Sequence, residues 1–77
     1  MIDPVDVQKM VEKAFPDGRV EVYDQTGTFD HFEIRVVSAG FQGKTRLEQH
    51  RMVQTALQDA MASGAIHAVQ IKTEIPK

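Results

Sequence analysis

The sequence predicts an α+β fold in which helices cover one face of a three-stranded mixed sheet. Two segments repeat apolar residues at three-four spacing, three others alternate with period two, and one helical segment stands between the last two strands. A helix of ~16 residues rises about 24 Å, enough to carry the chain from the end of the second strand back to its start. The third strand then runs parallel to the second through a right-handed crossover, while the first two pair antiparallel.

The first helix spans roughly residues 4 to 15. Asp3 caps it, Pro4 suits its first turn, Asp6 favours its positive end, and Phe15 before Pro16 is pushed out of helical geometry. Val7, Met10, Val11 and Ala14 form its apolar stripe. After the Asp17-Gly18 turn, "RVEVYD" and "HFEIRVV" alternate, with Val20 and Val22 in one and Phe32, Ile34 and Val36 in the other on a common face. The connection "DQTGTFD" is longer than the usual two to five hairpin residues and is therefore a candidate site. "TRLEQHRMVQTALQDAMASG" predicts a second helix over about 45 to 62, opened by a Thr45–Glu48 capping box and closed by Gly64. Val53, Ala56, Leu57, Ala60 and Met61 share one face, with His50 packed inside that arc and Arg46, Arg51 and Gln58 outside it. The third strand reads "IHAVQIKT", with Val69 and Ile71 on one face.

Seventy-seven residues form one domain, 1–77, with a thin core. Without cysteine there is no disulfide scaffold, no thiolate nucleophile and no self-contained cysteine metal site. No apolar run approaches the ~20 residues that span a bilayer. "MIDPVDV" has neither the basic nor the apolar region of a signal peptide, so the expected location is cytoplasmic, with no membrane association. The net charge of -2 opposes any general attraction to nucleic acid and leaves room only for a local basic patch. Ser38 and Ser63 have no nucleophile-elbow setting, and no enzymatic activity is expected.

The predicted topology gathers the start of strand three, the start of strand two and the loop between strands one and two at one end. His67, His31 and "DQTGTFD" become neighbours there. A neutral imidazole beside a polar loop is a metal-ligand candidate, and equally an ordinary solvated or hydrogen-bonded strand-edge residue. Two histidines fall short of the three or four ligands of a zinc site, so a complete site needs donors from elsewhere. Asp24, Thr26, Thr28 and Asp30 alternate like the opening of a calcium loop, but the position of the bidentate glutamate holds Arg35. A second candidate lies in "GFQGKTRLEQHR". Gly40 and Gly43 form a G-x-x-G like that of nucleotide-clamping KH domains, Lys44 and Arg46 flank the positive end of helix two, and Arg51 is a third candidate contact beside them. They imply a phosphate or acidic partner there, or else a helix end whose charge Glu48 and solvent absorb.

"FQGKTRLEQHRMVQTAL", "IHAVQIKTEIP" and "DHFEIRVVS" together resemble the BolA family over nearly the whole chain. The resemblance implies an α-β-β-α-α-β order, akin to a class II KH domain, with a short extra turn opening helix two. It also implies a monomer that forms a heterodimer with a monothiol glutaredoxin and acts in iron-sulfur trafficking or in iron- and stress-dependent regulation of transcription, with DNA a further possible partner. The pair would share a [2Fe-2S] cluster that the isolated chain does not bind, with His67 as one ligand and thiolates from the glutaredoxin cysteine and glutathione. Family members often place a second ligand in the loop, at the position of Thr28. Threonine is a poor iron ligand, so either His31 substitutes for it or cluster binding is weaker.

Overall fold

Alternating apolar residues build the sheet on which everything else rests. In the computed structural model, which describes residues 2–76, β1 (Arg19–Asp24) pairs antiparallel with β2 (His31–Val37), and β2 pairs parallel with β3 (Ala68–Glu74), in the order β1-β2-β3. Phe32 and Ile34 are wholly buried and Val20 and Val36 nearly so. Each is worth roughly 1.5–3 kcal/mol of apolar burial. The helices α1 (Pro4–Ala14), α2 (Arg46–Ala56) and α3 (Gln58–Ala62) supply Val7, Val11, Val53 and Ala60 to the same core, and Leu57 joins them from between the last two.

The local signals act as expected at the start of α1. The Asp3 carboxylate accepts the Val5 N–H at 2.8 Å. The helix ends one residue early, because Phe15 takes an extended φ of -129° before Pro16 and drops its ring into the core. Phe15 thereby displaces Ala14, which is exposed and does not belong to the buried stripe; Met10 is half-buried.

Helix two departs further from expectation. It is not continuous over 45 to 62 but breaks at Leu57 (φ -104°, ψ 6°) into α2 and α3, which yields the α-β-β-α-α-β order. Leu57 itself is fully buried, so the break keeps that side chain in the core between the two helices. A separate 3-10 turn, Ala39–Phe41, precedes α2. The buried polar residue of α2 is Gln49: its amide donates to the Lys44 carbonyl at 3.0 Å, and its oxygen accepts from the buried Thr73 hydroxyl of β3. His50 is only half-buried, although its Nε2 is sealed from water without a hydrogen-bond partner. Gly64 holds the left-handed φ of 81° that ends α3.

Candidate functional site at the histidine end

β3 begins at Ala68, two residues later than the sequence suggests, because Ile66 is a core residue rather than a strand residue. With Ile66 at 1% exposure anchoring the chain from below, His67 lies at the rim, its side chain 60% exposed. Its backbone N–H donates to the Asp30 carbonyl at 2.8 Å, and the Ala68 N–H reaches the same oxygen at 3.3 Å. The loop before β2 is thus tied to the entrance of β3 through the backbone of one residue.

The loop is tighter than its sequence length implies. Gln25 N–H donates to the His31 carbonyl at 2.9 Å and extends the β1–β2 pairing by one step. Gly27 (φ 76°) and Phe29 (φ 58°) then turn the chain through the left-handed region. Glycine does this freely, whereas a phenylalanine there costs roughly 1–2 kcal/mol. The Phe29 carbonyl accepts the Ile2 N–H at 2.9 Å, which fastens the N-terminal arm to the loop.

Asp30 stands between the two imidazoles. Its Oδ1 lies 2.7 Å from His31 Nδ1 and its Oδ2 3.2 Å from His67 Nδ1, and the rings face each other edge-on with centroids 6.0 Å apart. Thr28 Oγ1 donates to Asp30 Oδ1 and is itself bonded to the Thr26 hydroxyl. The Thr28 hydroxyl, then the hydrogen bond from His31 and the nearby imidazole charge, hold the Asp30 carboxyl below the usual aspartate range. An ionised carboxylate has room for all these donors, since its two oxygens offer about four lone-pair sites. With both Nδ1 atoms turned inward, both Nε2 atoms point away from the carboxylate, and neither meets a hydrogen-bond partner among the described residues. Among those residues no three histidine, cysteine or acidic side chains are placed to hold a metal together. The site can therefore donate one or two nitrogens but cannot complete a coordination sphere.

The glycine and basic residues occupy the other end of β2, seven residues away, or roughly 20 Å at strand rise. Gly40 lies in the 3-10 turn and Gly43 has φ 80°, but Phe41 between them is wholly buried and packs against Phe15 with the rings tilted and their centroids 5.1 Å apart. The capping box forms in full: Thr45 Oγ1 accepts the Glu48 N–H at 3.1 Å, and Glu48 Oε1 accepts the Thr45 N–H at 2.9 Å. These bonds, with the charges of Lys44 and Arg51, hold the Glu48 carboxyl below its ordinary range. Lys44, Arg46 and Arg51 are exposed, and none of them joins the histidines. Of the two readings of this helix end, the closed capping box favours the one in which Glu48 supplies the negative charge.

A profile of the BolA-like protein family matches residues 11–77. The chain belongs to the BolA-like family. Protein BOLA2 of Arabidopsis thaliana is 38% identical over 73 residues, covering 94% of this chain and 76% of that one. Among solved structures, a BolA homologue from Coxiella burnetii superposes with a TM-score of 0.82 at 34% identity, covering 99% of this chain and 94% of that one. The BolA domain of SufE1 from Arabidopsis thaliana superposes with a TM-score of 0.84 at 32% identity, covering 95% and 91% of the two chains. In this BolA-like chain Thr28, at the loop position where a second ligand was sought, spends its hydroxyl on Asp30, and His31 is the second imidazole beside His67. Sequence reasoning found both histidines and the loop but missed Asp30 as their common partner. Its signal was present in the alternation of Asp24, Thr26, Thr28 and Asp30, which was weighed only as a cation loop.

Proposed function

We propose that this chain is a non-enzymatic BolA-like adaptor that docks a monothiol glutaredoxin at its histidine end and shares a [2Fe-2S] cluster with it, in iron-sulfur trafficking or iron-dependent regulation. The observation that carries the reading is His67: an exposed imidazole whose Nδ1 lies 3.2 Å from the Asp30 carboxylate, with Nε2 directed outward beside a second imidazole. The donor set fits a shared cluster, because the chain has nitrogen ligands to offer and no cysteine. The glutaredoxin cysteine and glutathione would supply the thiolates. Imidazole in place of thiolate raises a cluster's reduction potential and makes its binding pH-dependent, which suits a cluster that is passed on.

Mixing the chain with a glutathione-loaded, cluster-bearing monothiol glutaredoxin tests the reading by visible absorption and circular dichroism. The wild-type chain is expected to change both spectra, His67→Ala to abolish the change and His31→Ala to reduce it. Identical spectra with wild type and His67→Ala would overturn His67 as a ligand. The other reading, a nucleic-acid contact by Gly40, Gly43, Lys44, Arg46 and Arg51, has less support: Phe41 and the closed capping box give that segment a structural role. Its discriminator is salt, since phosphate contacts produce an affinity that falls steeply with ionic strength.

A further inference from the structure

We propose that Asp30 is a positioning residue shared by His31 and His67, and that it sets both rings to the Nδ1–H tautomer so that Nε2 is the ligating atom of each. The inference rests on the adaptor reading for its purpose, though not for its geometry.

Three observations converge on Asp30. Its two carboxylate oxygens are divided between the two rings, one oxygen to each Nδ1. Its carbonyl fixes the backbone of His67 and Ala68 independently of the side chain. Thr28 braces the carboxylate from the loop side. A neutral imidazole carries one N–H, and the hydrogen bond made by one nitrogen decides which nitrogen is left as the lone-pair donor. The Asp30 carboxylate bonds to His31 Nδ1 and lies 3.2 Å from His67 Nδ1, so it favours a proton on both Nδ1 atoms and leaves each Nε2 on the outside, as carboxylate–histidine pairs do at metal centres generally. A single aspartate serving two rings also couples them: a side chain that can accept from only one ring leaves the other undirected. On this view the loop contributes the residue that aims the nitrogens, and its threonine belongs to the bracing rather than to the ligand set.

Asp30 is suited to a direct test because its backbone bonds survive substitution of the side chain. Nitrogen-15 chemical shifts of the ring nitrogens are measured on the chain alone, at a pH about two units above the ordinary histidine pKa of ~6.5. In the wild-type chain His31 and His67 are expected to show protonated Nδ1. In Asp30→Ala both are expected to move toward protonated Nε2. In Asp30→Asn, whose amide has a single acceptor oxygen, the two rings are expected to differ from each other. His50, which does not touch Asp30, should be unchanged throughout and reports that the variants are folded. Wild-type rings protonated at Nε2, or shifts that do not respond to Asp30→Ala, would overturn the proposal.

In the mixed complex with the glutaredoxin, Asp30→Ala is expected to weaken retention of the cluster against a chelator by about 10- to 100-fold, the size of effect produced by losing an orienting partner. Retention equal to wild type would likewise overturn the positioning role. If the wild-type chain acquires no cluster signature at all, the adaptor reading fails, while the ring-nitrogen shifts still decide whether Asp30 sets the tautomers.

Discussion

The two ends of β2 carry loops of similar size and polar content, and they handle their polar atoms in opposite ways. At the glycine end nearly everything is turned inward. Asp17 accepts the Ala39 N–H at 3.1 Å and the Ser38 hydroxyl, Ser38 Oγ accepts the Gly40 N–H at 3.1 Å, Gln49 spans from Lys44 to Thr73, and Thr45 and Glu48 cap each other. At the histidine end Asp30 bonds to His31 Nδ1, faces His67 Nδ1 at 3.2 Å, and leaves the other nitrogen of each ring directed outward. The same residue types thus close one end and arm the other. What separates the two is which atoms are left over after the internal bonds have formed.

That contrast is broken most forcefully at Phe41. If the G-x-x-G segment is an anchor, Phe41→Ala should cost about 3–5 kcal/mol, a large share of the ~5–15 kcal/mol available to a domain. Urea denaturation would show the loss, and a near-neutral result would return that segment to the list of exposed recognition loops. The next largest effect is expected at Gln49. Gln49→Ala strands the Thr73 hydroxyl and the Lys44 carbonyl and should cost about 1–3 kcal/mol. Gln49→Leu combined with Thr73→Val should recover part of it, because removing both partners leaves no buried orphan. Thr45→Ala should cost about 1 kcal/mol through the lost cap, without altering any cluster signature at the far end of the sheet.

The smallest effect is the pH dependence of the same cap. Glu48 has its folded-state pKa depressed, so its contribution is complete above the ordinary value of 4.5 and is lost as pH falls through the lower folded value. The melting-temperature difference between wild type and Glu48→Ala should therefore be steady at neutral pH and narrow on acidification below that ordinary value. A difference that widened in acid would contradict the assigned sign.

Much of the fold was legible because its signals are periodic or local. The alternation in "HFEIRVV" marks β2 from His31 to Val37, and the Asp3, Thr45 and Gly64 signals mark helix ends where the chain uses them. The break at Leu57 was not legible, since both halves keep the same apolar spacing on either side of it. Ile66 was misjudged for a related reason: alternation suggests that it opens a strand, yet it is buried in the core ahead of β3. Gln49, which bonds to Thr73 of β3, carried no signal in its spacing. At the candidate site the topology placed His31 and His67 together, because strand order alone brings their backbones to one end. The role of Asp30 depends on where two side chains point, which spacing does not encode.

The most direct measurement of the central claim is pulsed electron paramagnetic resonance of the reduced cluster in the mixed complex, with only this chain labelled with nitrogen-15. Direct imidazole ligation predicts a strong nitrogen-15 coupling whose His67 component disappears in His67→Ala, leaving only that of His31. A reduced cluster that forms in the complex yet shows no nitrogen-15 coupling from this chain would contradict it.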